Sequence, residues 1–361
     1  MKVVVIGFGG MGCYHTRTLL QYAASAPQYP HAASAPQYPL ELAGVYDIDP
    51  ARLQAAREEG IRAYTSAEEV FSDGEVGAVI IATPNDVHAE YVYAAAKAGK
   101  HIICEKPVAM SSAQAESMYD AAQKAGVLFE VHQNRRWDDD FLTVKQIAAE
   151  GKIGDVYKIE SRVVGSNGIP GAWRKEKAHG GGMMLDWGVH LIDQMLQFVR
   201  STVVSVYCEY SYIYGEEVED GCELSVLFEN GMRYKVLIAT DCFRKLPRWQ
   251  VYGVEGTATI EDWDLSGGMT RVVEREDKNL VGVRAGNGFT KTMAQRSDSS
   301  VEELPLPVVH AEPFAFYKNF AAAAQGKEAP AICREEVLRV FRLMEAAQLS
   351  AQTNEVVKIR L

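Results

Sequence analysis

The first twelve residues constrain the fold more tightly than any other stretch. The apolar run "KVVVI" passes straight into Gly7-Phe8-Gly9-Gly10-Met11-Gly12. In a G-x-G-x-x-G turn the first glycine permits a sharp bend, the second lets backbone approach a pyrophosphate, and the third lets helix and strand pack closely. The helix that follows offers its N-terminus to an anion. The segment therefore predicts a strand, a cradle and a helix that hold a dinucleotide, with Gly7, Phe8, Gly9, Gly10, Met11 and Gly12 against the ligand.

The pattern continues along the chain. The runs "LELAGVYD", "AVIIATP", "HIICEKP" and "VLFEVHQ" alternate with helical segments as far as Asn134. Asp49 before Pro50, Ser66 before Glu69 and Ser111 before Gln114 mark helix starts, and Gly99 and Gly126 mark helix ends. Strands that are apolar almost throughout, separated by helices, predict a parallel sheet covered on both faces. From residue 132 the pattern changes to longer alternating strands, a hairpin signal at Asn230-Gly231, a glycine-rich loop and a late pair of helices. The expected class is α/β: a Rossmann doubly wound parallel sheet over 1–131, followed by an α/β domain over 132–361 with a large, mostly antiparallel, open-faced sheet. A tandem copy, "AASAPQYPH" then "AASAPQYPL" at 23–40, interrupts the first domain. It is expected to form a loop at the sheet end opposite the ligand crevice and to have no part in the chemistry.

A chain of 361 residues suits two domains with full cores. The formal net charge of −11 gives no basic surface able to displace nucleic-acid counterions. The leading apolar run is too short for a signal peptide core or a membrane span. Nucleic acid and membrane are thus not expected partners, and small-molecule chemistry is. Six cysteines without a C-x-x-C pair suggest neither a disulfide framework nor a zinc knuckle. The expected compartment is the cytoplasm.

Asp47 closes the second strand, where a carboxylate accepts hydrogen bonds from an adenosine ribose and repels a 2'-phosphate. NAD is therefore expected rather than NADP. The repeat stretches the spacing from Gly12 beyond the usual value of about 20 residues. Arg52 complicates the preference, and a cap for the helix at Pro50 is the other reading of Asp47. "ATPNDVH" and "CEKP" end the next strands, at the edge where cofactor and substrate meet, which places the Lys106 cation in the crevice.

In "GGGMMLDWGVHLIDQML", from Gly180, a helix would put Asp186, His190 and Asp193 on one face and Met184, Trp187, Leu191 and Met195 on another. No H-E-x-x-H pattern exists and His179 is the only histidine nearby in sequence, so no metal site is expected. Two readings of His190 stay open: a structural imidazole satisfying buried groups, or an acid/base group oriented by Asp186.

Taken together, Gly7 to Gly12, "EKP" at 105–107 and "GGGMMLDWGVHLID" closely resemble the Gfo/Idh/MocA oxidoreductases, over essentially the whole chain. The resemblance implies a catalytic set of Lys106, Asp186 and His190, with Thr83, Pro84, Asn85, His88 and Glu105 lining the cofactor. It also implies oligomerisation, as a homodimer or homotetramer, through the C-terminal domain's sheet. "NRRWDDDFLTVK" is similar to the cyclitol and sugar dehydrogenase branch, and "GAWRKEKAHGGGMMLDWGVH" to relatives that oxidise the C3 hydroxyl of glucosides.

The expected reaction is hydride transfer between nicotinamide and a secondary hydroxyl of a sugar, glycoside or cyclitol. His190 accepts the hydroxyl proton, Asp186 orients it or binds a neighbouring hydroxyl, and Lys106 stabilises the alkoxide; lysine and histidine are exchangeable in these roles. Asn134, Arg135, Trp173 and Arg174 are expected around the substrate, with plain packing as the other reading of Trp173. Three alternatives stay open: an inositol dehydrogenase with freely exchanging NAD(P), a sugar-sensing protein without chemistry, and an enzyme that keeps its NAD tightly bound and recycles it within each turnover.

Overall fold

Val3, Val4, Val5 and Ile6 have no exposed surface, as a strand covered on both faces requires. They form β1 (Lys2–Ile6), the second strand of a five-stranded parallel sheet with β2 (Glu41–Tyr46), β3 (Val76–Ile81), β4 (His101–Cys104) and β5 (Phe129–Val131). The order is β2-β1-β3-β4-β5. The computed structural model describes residues 1–25, 40–171 and 173–361. Helices α1 (Gly10–Ser25), α2 (Pro50–Glu58), α3 (Ala67–Ser72), α4 (His88–Lys97) and α5 (Ser112–Ala125) connect the strands. The start signals act as read: Asp49 caps Ala51, Ser66 caps Glu69 and Ser111 caps Gln114, and Gly126 ends α5 in the left-handed region. The cap before Pro50 is thus Asp49, which leaves Asp47 free of that role. Most of the tandem repeat, 26–39, lies outside the described residues; Ser25 ends α1 and Leu40 precedes β2.

The second sheet has nine strands: β6 (Val156–Val164), β7 (Val203–Ser211), β8 (Gly221–Phe228), β9 (Arg233–Ala239), β10 (Trp249–Gly253), β11 (Gly256–Ile260) and β12 (Gly267–Val272), then β15 and β16 beyond a small separate hairpin of β13 (Val283–Ala285) and β14 (Gly288–Thr290). β15 is Val301–Leu304 and β16 is Val357–Lys358. The order is β15-β12-β11-β10-β6-β9-β8-β7-β16, antiparallel except for β6 beside β9. The region 262–300, which carries no strand signal in the sequence, supplies a sheet strand and a hairpin. Alternation along β8 and β9 turns Leu224, Val226, Tyr234 and Val236 inward and leaves Glu223, Leu227, Arg233 and Lys235 outside. The inner face is covered by α6 (Asp139–Glu150), α7 (Val189–Phe198) and α9 (Arg334–Thr353). The outer face stays open.

The two sheets do not have separate covers. α8 (Ala315–Ala323) and the start of α9 send Phe316, Tyr317, Phe320, Val337 and Phe341 into the core of the parallel sheet, while Val340, Leu343 and Met344 of α9 enter the other core. At about 1.5–3 kcal/mol for each large apolar side chain removed from water, α9 ties the two layers together. The carboxyl edge of the parallel sheet is thereby fixed against α7.

Candidate active site

The glycine turn has the shape its spacing predicts. Gly7 adopts φ +94°, and a Cβ there would lie 2.5 Å from the carbonyl oxygen of Ala82. A Cβ on Gly12 would run into the Gly7 carbonyl. Phe8 N–H donates to Asp47 at 2.6 Å, and the same carboxylate accepts from Asp49 N–H at 2.9 Å and lies 3.3 Å from Arg52 Nη1. Asp47 thus joins the end of β2 to the turn after β1. Beside it opens a cavity of about 390 Å³ lined by Gly7, Asp47, Arg52, Thr83, Pro84 and Tyr91. The cradle, the carboxylate and this cavity fit the pyrophosphate and adenosine ribose of a dinucleotide.

The β3 edge closes on the rest of the chain. Asn85 Nδ2 donates to the Gly180 carbonyl at 3.1 Å, and Asp86 meets His179 at 2.9 Å. His88 is fully buried between the carbonyls of Thr83 and Pro107, each 3.0 Å from a ring nitrogen. Burial lowers its pKa, so the ring sits neutral between two crevice turns and donates to one of the two carbonyls. Glu105 is also buried, its Oε1 between His15 and His132 at 2.8 and 2.7 Å. Among the described residues these three make the one group whose donor atoms are close enough to suggest a metal.

Lys106 leaves the end of β4 and meets Asp186: Nζ is 2.9 Å from the backbone carbonyl and 3.2 Å from Oδ1. Arg174 Nε lies 3.4 Å from the other carboxylate oxygen, and its guanidinium stacks on Trp173. The glycine run explains how Asp186 reaches this place. A side chain on Gly181 would strike the Arg174 carbonyl, and one on Gly182, at φ +104°, would strike Glu219. Met184–Gly188 then forms a π-helical turn before α7 begins, so the expected single α-helical face is broken. Such turns are frequent at functional sites.

The three residues on that face consequently part. Asp186 goes to Lys106. Asp193 makes a two-pronged ion pair with Arg136, at 2.8 and 2.6 Å, that is part of the core. His190 is buried, edge-on to Trp187, and among the described residues its Nδ1 has no hydrogen-bond partner. Burial first, then the charges of Lys106 and Arg135, hold its pKa well below the ordinary 6.5. It is a neutral imidazole with an unused nitrogen beside a fixed cation.

Arg135 stacks on Trp187 at 4.3 Å and Trp263 at 5.1 Å, with Nη1 bonded to Asp138. Asn134 opens the same short turn and is half-buried. Trp187 and Trp263 were not singled out in the sequence. Trp187 read as packing, and Trp263 comes from a distant loop without a motif.

Residues 1–133 match the profile described as "Oxidoreductase family, NAD-binding Rossmann fold", and residues 141–259 match the "GFO/IDH/MocA C-terminal domain". The chain belongs to the Gfo/Idh/MocA family. As a Gfo/Idh/MocA protein it is an NAD(P)-dependent oxidoreductase, and the fit of the glycine cradle to a dinucleotide agrees. It is 43% identical to an NAD-binding protein from Listeria innocua, with a TM-score of 0.90 over 99% of both chains. It is 26% identical to scyllo-inositol 2-dehydrogenase (NADP(+)) of Bacillus subtilis, over 81% of each chain. A 1,5-anhydro-D-fructose reductase of Ensifer adhaerens is 36% identical over 56% of this chain and 62% of its own.

Proposed function

We propose that this oxidoreductase transfers a hydride between nicotinamide and a secondary hydroxyl of a sugar, glycoside or cyclitol. The supporting observation is the contact of Lys106 with Asp186 at the carboxyl edge of the parallel sheet, with the Lys106 charge felt at His190. The bound nicotinamide supplies hydride acceptance; the chain handles the proton and the charge. His190, neutral and with Nδ1 unpartnered, accepts the hydroxyl proton. The Lys106 ammonium, pinned by Asp186, stabilises the alkoxide oxygen. Asp186 has a second carboxylate oxygen for a neighbouring hydroxyl once Arg174 moves aside. Arg135 between Trp187 and Trp263 offers a flat, partly apolar wall suited to a pyranose or cyclitol ring.

The relatives support the substrate class: one is named for a cyclitol and one for a sugar. The C3 hydroxyl of a glucoside is the glycoside position we favour. NAD is the preferred cofactor because Asp47 would meet a 2'-phosphate with like charge, and it already occupies Arg52. We further infer a cytoplasmic homodimer or homotetramer, paired through the open outer face of the nine-stranded sheet. Lys106, Asp186 and His190 are all present, so the sensor reading has no support from this site.

The deciding experiment is the absorbance spectrum of the purified protein mixed with glucosides, free hexoses and inositols, with and without NAD or NADP. A reduced-nicotinamide band with one class names the substrate. A band without added cofactor means that the dinucleotide is retained through purification, and silence throughout would overturn the dehydrogenase reading.

A further inference from the structure

Behind Lys106 lies an arrangement that hydride transfer, as described, does not use. Glu105 sends its carboxylate into the interior, where only 4% of the residue is exposed. Oε1 accepts from His15 Nε2 and His132 Nδ1, and Oε2 lies 3.2 Å from the backbone N–H of Lys106. On the far side of His15, Nδ1 is 2.7 Å from the Tyr317 hydroxyl of α8. The Glu105 carboxylate calls for the His15 proton on Nε2, so in the neutral ring Nδ1 accepts from the Tyr317 hydroxyl, whose pKa burial pushes up. His15 is then neutral, in keeping with a pKa lowered by burial and by His132. Burial also works against the Glu105 charge, but His132 and His15 outweigh it and hold the carboxyl well below its ordinary range. Among the described residues no ammonium or guanidinium group bonds to it.

A metal ion is the first candidate partner for this group, and the spacing argues against it. A tetrahedral ion bonded at about 2.1 Å would set its ligand atoms about 3.4 Å apart, whereas these pairs stand 2.7 and 2.8 Å apart as hydrogen bonds. The second candidate is the cofactor. With adenosine beside Asp47 at β2 and pyrophosphate on the β1 turn, a dinucleotide that continues across the switch point brings its nicotinamide to the ends of β3 and β4. Lys106 stands there, one residue from Glu105. The Glu105 charge is also felt at His190, where it opposes the effects of burial and Lys106. The oxidised ring carries a positive charge and the reduced ring none.

We propose that Glu105, gripped by His15 and His132, is a fixed buried anion that stabilises oxidised over reduced nicotinamide and so sets the redox balance of the bound cofactor. This rests on the dehydrogenase reading. It makes the bound reduced cofactor the stronger hydride donor, and it gives Tyr317 a role in fixing the His15 tautomer.

The test is calorimetric titration of wild type, E105Q and E105D with NAD+, NADH and ADP-ribose, and with the phosphorylated pair. In E105Q the preference for the oxidised over the reduced form falls about tenfold, as for a unit charge acting across about 12 Å at an effective dielectric of about 20. For a two-electron couple that is a shift of about 30 mV. ADP-ribose, which has no nicotinamide, binds wild type and E105Q alike, and E105D, which keeps the charge, keeps the wild-type ratio. An unchanged ratio in an E105Q protein that still binds all three overturns the proposal and leaves the dehydrogenase reading standing. One equivalent of metal in the purified protein overturns it too. If wild type binds neither dinucleotide pair, the cofactor reading falls and takes this proposal with it. Should E105Q not fold, the infrared difference spectrum between oxidised and reduced complexes of wild type decides. A shifted carboxylate band that moves again in E105D supports the proposal; a protonated carboxyl band that does so overturns it.

Discussion

Lys106 and Asp186 meet twice: the ammonium lies 2.9 Å from the aspartate's backbone carbonyl and 3.2 Å from its carboxylate. The backbone contact depends on the π-helical turn, the carboxylate contact on the side chain. The lysine is therefore held by two independent groups.

Lys106→Met should lower kcat/KM by about 10² to 10⁴, the range for losing a placed proton-transfer or oxyanion-stabilising group. Asp186→Asn should cost less, because the backbone carbonyl still holds the ammonium. Dinucleotide affinity should change little in both, since the cradle and Asp47 are untouched. Steady-state kinetics beside cofactor titration checks this, and equal losses of affinity and turnover would count against the assigned roles.

His190 gives a pH signature. Its pKa is lowered, chiefly by burial, so it is deprotonated and able to accept a proton throughout the neutral range. The acid limb of kcat/KM should fall below the ordinary imidazole value of 6.5, with activity lost as pH drops through the shifted value. His190→Ala should abolish that limb together with most of the turnover. An acid limb that persists in the variant would belong to another group.

Arg136 holds Asp193 with two hydrogen bonds and reaches Glu336 of α9 at 2.7 Å. Arg136→Met leaves a buried carboxylate unpaired and should destabilise the fold by about 3–5 kcal/mol. Adding Asp193→Leu should recover much of the loss, because the orphaned charge goes with it. Chemical denaturation of the single and double variants measures this, and additive losses would show that the two residues are not coupled.

Glu130 of β5 is fully buried, accepts from Ile332 N–H, and has its pKa raised from 4.5 to about 7, mainly by burial. The folded state thus holds a proton that the unfolded chain releases first. The stability this contributes is complete below pH 4.5 and is lost as pH rises through about 7, at most about 3 kcal/mol. Glu130→Gln should flatten that slope in urea denaturation between pH 5 and 8.

Legibility from sequence followed locality. The parallel sheet, its caps and the glycine cradle were readable because each is specified by residues close in the chain. Lys106 was readable from its place at a strand's carboxyl end. The shared face of Asp186, His190 and Asp193 was not, because periodicity assumes an unbroken α-helix and the π-helical turn at Met184–Gly188 rotates Asp186 against the rest. Nor could spacing show that Asp193 belongs to Arg136, or that His15, Glu105, His132 and Tyr317 form one chain of hydrogen bonds: those contacts span from 27 to 302 positions. The strands within 262–300 escaped because short exposed strands, such as "VRA" and "GFT", bury too little to leave a pattern.

Trp263 tests the substrate end without touching the proposed acid/base set. It is 44% exposed, stacks on Arg135, and lies 6.1 Å from Trp187 between ring centres. A sugar or cyclitol ring packed on this wall would gain about 1–1.5 kcal/mol from the indole face. Trp263→Ala should therefore raise KM by about tenfold while kcat stays within about twofold, the pattern of lost uniform binding. Trp263→Phe should recover part of the affinity. If kcat falls instead and KM is unmoved, Trp263 acts through the placement of Arg135 and His190 and not by touching the substrate.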